Sequence, residues 1–439
     1  MSTNIQDFAG DIQVRGTTFI KANSNSHNIA IGTNAGVTLQ GIQTVAVGNN
    51  AGNDTQGLRG VALGGYAAET SQGNYGVSIG WTAGRTSQGQ NTVAIGALAA
   101  TANQNNYAVA IGREAGETAQ GGSAVAVGLQ AGETAQGVNS VAVGVQAGKT
   151  SQNTNAVAIG YQAGLTAQGE NAIAIGENTA ESAQGVNSTA LGVQSGRFRQ
   201  GVNSVAVGAL AANTDQKDYA VAIGREAGKT SQNNYAVAMG YLAGSARQGN
   251  YGVAVGRFAG CSAQGVQTVA VGINSGRNDQ NNYSVAIGSS GGQSAQGPSA
   301  VAIGYLAGSG HQGSYSVAIG VAAAQVGDGK GCESVAVGRY AGKDLQRSYS
   351  VAVGSSAGQT SQAQRAVAIG YLAGHTEQSY DCVAIGHMAG SIDQENNNIS
   401  IGNYAGQSNA GLYGVNIGAQ SGAEAQGNQR CSVALESRA

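Results

Sequence analysis

Proline occurs once in 439 residues, tryptophan once and cysteine four times, and charged residues make up only 10%. Each scarcity closes off a class of protein. A collagen triple helix needs abundant proline and a glycine at every third position, and neither is present. No stretch approaches the ~20 consecutive apolar residues that a membrane-spanning helix requires. The formal charge of −2 gives no reason to expect nucleic acid or an acidic membrane surface as a partner. Residues Met1 to Asn25 show no basic stretch followed by an apolar run, so no secretory signal is expected there.

The chemistry-bearing residues are equally thin. Cys261, Cys332, Cys382 and Cys431 form no Cys-x-x-Cys pair, and His27, His311, His375 and His387 make no metal-ligand set. Acidic residues are scattered, no nucleophile stands beside a base, and no Gly-x-x-x-x-Gly-Lys phosphate loop occurs. No catalytic, cofactor-binding or metal-binding residue is therefore assigned, no cofactor is expected, and the chain reads as non-enzymatic.

What is abundant is glycine, 73 residues, with an ordinary apolar share of 41%. That share is too high, and the net charge too low, for a disordered chain. The glycines are periodic. The run Val-Ala-Val/Ile-Gly ends at Gly32, Gly48, Gly64 and onward every 16 residues to Gly320, then, after one step of 18, at Gly338 through Gly418, giving 25 occurrences. The longer step falls in Val326–Cys332, a glycine-rich bulge, and Ser432-Val-Ala-Leu435 reads as a degenerate closing unit.

A fixed period without insertion means that each unit sits in the environment of its neighbours, which a stack of coils provides. Val-Ala-Ile-Gly followed by Ala-Gly is a poor helix sequence, whereas β-branched runs bounded by glycine are strand signals. The sequence thus predicts an all-β parallel β-solenoid, or β-roll, of about 25 sixteen-residue coils. Residues 1–27 read as an N-terminal cap or docking segment, in which Ile12, Val14, Thr18 and Ile20 alternate like strands; 28–427 form the repeat rod and 428–439 a C-terminal cap.

Places are counted from the closing glycine. Place +3 is small, place +4 is glycine or alanine, place +6 is mostly Thr or Ser, and place +8 is glutamine in 23 of 25 units. Places +13 and +15 are Val, Ile or another apolar residue, and +14 is almost always Ala. Two strands per coil are expected. The first is +12 to +15; the second is +4 to +8, with +4, +6 and +8 on one face and +5 and +7 outward. The unsubstituted closing glycine points to positive φ or to no room for Cβ, whereas alanine at +4 points to a size limit rather than a left-handed backbone.

The first strand lacks a polar side. Ser140 and Ala142, or Ala220 and Ala222, oppose the Val and Ile places, so both faces read as dry. Either another segment covers one face, or one face packs within the chain and the other against neighbouring chains; the second reading is preferred because a two-stranded coil has one interior. The glutamine column (Gln40, Gln56, Gln72 and onward) reads as an amide ladder along the axis. The Asn and Tyr column at +11 reads as a structural turn column. Place +1, carrying Trp81, Tyr161, Tyr241, Tyr305, Tyr371, Arg113, Arg225 and Arg257, reads as scattered surface residues. No ligand-binding residue is assigned from it.

Asn139-Ser-Val-Ala-Val-Gly144 and Ala220-Val-Ala-Ile-Gly224-Arg-Glu-Ala227 resemble the head repeats of trimeric autotransporter adhesins, the YadA-like parallel β-roll. The family repeat is shorter, and the Thr-x-Gln-Gly segment is this chain's own. The resemblance implies a homotrimer of solenoids with a buried axis and an adhesive exterior that meets a cell-surface glycan or receptor. No heptad stalk or membrane-anchor barrel is visible, and similar repeats occur in fibre proteins of phages and large DNA viruses. The expectation is a homotrimeric structural fibre or adhesin on a virion surface or otherwise extracellular, without membrane insertion. The rival is a monomeric solenoid scaffold or filament subunit with no receptor.

Overall fold

Most coils are built from two three-residue strands and two tight turns, as a period of 16 residues with glycine at fixed places would require; in a few the second strand is reduced to a single bridge, as at Gln296 and Gln312. The computed structural model describes residues 12–14, 17–23, 27–326, 331–423 and 433–435. The chain divides into two compact units, Met1–Asp218 and Tyr219–Ala439, each made of the same stacked coils.

In the first unit the strands Val109–Ile111, Val125–Val127, Val141–Val143 and Val157–Ile159 pair in parallel, each residue against its equivalent one period on. The second unit repeats the pattern, with Val221 on Val237 and Val253 on Val269. The longer step leaves the register intact. Val317 pairs with Val335, so the surplus residues are taken up outside the strand, at the bulge. Residues 327–330 of that bulge lie outside the described residues.

The second strand is shorter than the sequence suggests. It spans only +6 to +8, as in Thr150–Gln152, and its ladder joins Thr150 to Thr166 and Gln152 to Gln168 while skipping the residue between. That residue, Ser151, has φ +55, so the alternation of faces breaks there. Gln152 turns inward and is buried, while Thr150 stays half-exposed on the rim. Place +4 does not belong to a strand at all. Gly148 has φ +53, and where alanine replaces glycine, as at Ala100 and Ala180, the backbone keeps φ +46 and +47. The left-handed backbone excluded on the ground that alanine is accepted there is therefore present. The size limit is also real, since a Cβ on Gly148 would come within 2.8 Å of Gln152 Oε1.

The closing glycine meets both conditions expected of it. Gly144 has φ +133, and a Cβ there would lie 2.5 Å from Gly160 O of the next coil. Places +2 and +11 are left-handed too, at Gln146 (φ +59) and Asn155 (φ +57). Such conformations cost roughly 1–2 kcal/mol for residues with a Cβ. They persist because their amides bond the neighbouring coil: Gln146 N–H donates to Leu129 O at 2.8 Å and Asn155 N–H to Val138 O at 2.9 Å.

The interior is narrow and filled by small side chains. Ala142, Ala147, Ala158 and Ala163 are fully buried and belong to one alanine core running from Ala83 to Ala190; a matching core runs from Ala307 to Ala389 in the second unit. Among the described residues the largest wholly buried side chains are glutamines. At the start of the chain, Ile12–Val14 pairs antiparallel with Thr17–Asn23, which pairs antiparallel with Asn28–Ile31 of the first coil. A hairpin thus covers an otherwise open sheet edge. Of the closing segment, Val433–Ala434 pairs with Val415 and Asn416, while Gln426, Asn428, Cys431, Glu436, Ser437 and Arg438 lie outside the described residues.

Candidate functional site

The motif Asn139-Ser-Val-Ala-Val-Gly144 shows how the side chains are sorted. Asn139 takes the left-handed turn position, φ +56. The buried Ser140 hydroxyl donates to Gly137 O at 2.7 Å and closes the turn. Val141 and Val143 then point outward and Ala142 inward, with the burial pattern half-buried, buried, half-buried. This settles which face of the first strand packs within the chain: the small one, +12 and +14. The Val and Ile at +13 and +15 are not covered by their own chain, so the burial expected for them is not supplied by the single solenoid. The physical reason is cross-section, because a coil holding a glutamine amide against two alanines has no space for branched residues as well.

Parallel register converts these residues into two adjacent columns in each unit. Val109, Val125, Val141, Val157 and Ile173 form one; Ile111, Val127, Val143, Ile159 and Ile175 form the other. Ile111 remains 38% and Met239 40% exposed. No charged residue stands at either place from Val45 to Ile417, and Thr189 is the one polar side chain. The exposed apolar face is on the order of 10³ Å² per unit, beyond the few hundred Å² usual on a soluble monomer.

The glutamine column is an internal ladder. Gln104 Nε2 donates to Gln120 Oε1 at 2.9 Å, Gln120 to Gln136 at 3.1 Å, Gln136 to Gln152 at 3.2 Å and Gln152 to Gln168 at 3.0 Å. The same Nε2 reaches across the coil, as when Gln120 donates to Val109 O at 2.8 Å. One side chain therefore ties its coil both across and along the stack. The amide-to-amide chain is interrupted elsewhere: the buried Oε1 atoms of Gln56, Gln72, Gln184, Gln264 and Gln346 find no donor.

The surface columns behave differently. Asn139, Asn155, Asn171 and Asn187 each donate to the next asparagine at 3.0 to 3.2 Å. Tyr219, Tyr235 and Tyr251 stack with centroids 4.9 Å apart and planes within 3°. Ion pairs also span one period: Arg85 to Glu69 at 2.7 Å, Lys149 to Glu133 at 3.3 Å, and Arg365 to Asp381, a pair that lowers the Asp381 pKa. Glu114 is lowered by hydrogen bonds from Gln130 and Arg113, while burial, then Glu114 and Glu133, raise the neighbouring Glu117.

The residues weighed as chemical candidates do not converge. Among the described residues no group of three or more His, Cys, Asp and Glu is placed to hold a metal. Cys261, Cys332 and Cys382 are free thiols, and burial pushes Cys382 up to about 11. At place +1, Trp81, Tyr161, Tyr305 and Tyr371 are separately exposed, with Trp81 leaning over Gly65. The built feature is the apolar face. Alternation in Val-Ala-Val announced it, but the sequence left its direction open.

A parallel β-solenoid with an alanine and glutamine interior and an apolar exterior strip defines the class of protein: a β-solenoid repeat protein. Residues 135–163, 151–179 and 183–196 match the YadA head domain repeat, and these windows contain the outward-facing pairs Val141/Val143, Val157/Ile159, Ile173/Ile175 and Thr189/Leu191. The repeat of this chain thus resembles that of YadA-like fibre heads. No curated protein matches the chain. No helix among the described residues is long and apolar enough to cross a membrane.

Proposed function

We propose that the chain is a homotrimeric, non-catalytic fibre in which three copies pack their Val and Ile columns against one another, leaving the polar walls to meet a cell-surface glycan or receptor. The observation that carries this reading is the apolar face, because half-exposed branched side chains repeated at every coil need a partner that repeats with the same spacing. A second copy in register has that spacing by construction, and closed symmetry is the usual way in which identical chains bury one face. Obligate interfaces of this kind bury thousands of Å² and resemble a core cut in two. The resemblance to YadA head repeats supports the same arrangement.

In this reading residues 1–27 cap or dock one end, 28–427 form the rod and 428–439 close it. We place the fibre on a particle surface, as an attachment or decoration element of a virus, on the strength of similar repeats in viral fibres. Sedimentation equilibrium tests the assembly: three times the 43.3 kDa chain mass is expected, and a stable 43.3 kDa monomer overturns it. Immunogold labelling of intact particles tests the location.

A further inference from the structure

The second unit concentrates positive charge on a few coils. From Tyr219 to Gln280 stand five basic residues, Arg225, Lys229, Arg247, Arg257 and Arg277, against two acidic ones, Glu226 and Asp279, in a chain of formal charge −2. Glu226 is already shared between Lys229 at 3.0 Å and Arg225 at 3.4 Å. Arg257 and Arg277 have no carboxylate within ion-pair distance among the described residues.

Both instead lie on a single ring. Their guanidinium carbons are 4.9 and 5.0 Å from the Phe258 centroid. Tyr241 meets Phe258 edge-on at 5.4 Å and is 38% exposed, with Arg225 over its ring at 5.7 Å. A guanidinium drawn to an aromatic ring rather than to a carboxylate still has N–H groups that match the two oxygens of a carboxylate or sulfate. Two cations drawn to one ring repel each other, and an anion bound by both relieves that repulsion. A sugar ring beside that anion would meet the exposed part of Tyr241, an apolar surface with a polar rim. The stacked column Tyr219, Tyr235 and Tyr251 offers no such platform, because each inner face is covered by the next ring.

We propose that Arg257, Arg277, Phe258 and Tyr241 form a binding site for an acidic saccharide, its carboxylate or sulfate held by the two guanidinium groups and its ring laid on Tyr241. The site gives a ligand class to the adhesive exterior of the fibre reading, and it lies within one chain, so it stands or falls separately from the trimer. The test uses the full chain flowed over immobilised heparin (sulfated), polysialic acid (carboxylated) and dextran (neutral), compared with R257Q/R277Q, Y241S and the distant control R59Q. Retention on at least one acidic polymer and not on dextran is expected, at least tenfold weaker in R257Q/R277Q, weaker in Y241S and unchanged in R59Q. The heparin and polysialate arms tell sulfate from carboxylate. Absence of retention on both acidic polymers, equal retention on dextran, or equal retention by R257Q/R277Q at unchanged melting temperature overturns the site. Solution mass, measured on the same samples, reports separately on the trimer.

Discussion

Replacing Gln120 by leucine should weaken the stack locally rather than everywhere. The side chain is fully buried and makes four contacts: it accepts from Gln104 Nε2 at 2.9 Å and donates to Gln136 Oε1 at 3.1 Å, to Val109 O at 2.8 Å and to Ala124 O at 3.3 Å. Leucine fills a similar volume, so the cavity term is small. Gln104 Nε2 keeps Val93 O and Ala108 O as acceptors, and Ala124 O keeps the Val109 amide. Val109 O loses one donor, and Gln136 Oε1, on a residue that is 2% exposed, loses the donor it has in the ladder. An orphaned buried acceptor costs about 1–3 kcal/mol. Because coils interact chiefly with their neighbours, that loss falls on the coils around residues 104–136. At about 2 kcal/mol, hydrogen exchange of the Thr118, Gln120 and Gln136 amides should accelerate roughly 30-fold. Amides beyond Gly192 should not change. Exchange at those three positions equal to wild type, with A119S as an exposed control, would refute a load-carrying glutamine ladder.

Four further outcomes are expected. G144A forces a Cβ to within 2.5 Å of Gly160 O at φ +133, so it should cost about 3 kcal/mol or more and create a protease-sensitive coil, read by limited proteolysis. A119G should do the opposite, because Ala119 is exposed at φ +56, and relief of the left-handed alanine should raise stability by about 0.5–1 kcal/mol in a denaturant titration. V157D puts a carboxylate in the outward apolar column. It should leave the circular dichroism unchanged while sedimentation shows monomer, and an intact trimer would place the interface elsewhere. Burial lowers the His375 pKa below 6.5, so the folded state binds its proton less well than the unfolded chain. The coil around Thr376–Gln378 should then be fully stable above 6.5 and lose stability as pH falls through the folded pKa, in proteolysis at matched protease activity. H375Q should abolish that dependence.

Much of the fold is legible in the sequence. The sixteen-residue beat, the unsubstituted glycine, the small places and the glutamine column all required stacked parallel coils, and each is a one-dimensional pattern that any register-preserving stack must show. Less was legible of the backbone. Alanine at +4 argued against a left-handed turn, yet Ala100 and Ala180 adopt one, because hydrogen bonds to adjacent coils outweigh a local penalty that composition cannot reveal. The +4 to +8 strand failed for the same reason: a left-handed residue at +7 ends the alternation on which the face assignment relied.

The candidate sites divide in the same way. The sequence by itself determined that Val and Ile recur in two columns, that alanine separates them, and that no charge interrupts either. Only the tertiary structure decided that alanine and glutamine fill the inside and the branched residues face outward, because the width of the coil, a quantity shared by both strands and both turns, sets what fits within. It alone also brought Arg257, Arg277, Phe258 and Tyr241 together, since residues in different places of successive coils become neighbours only when the stack closes.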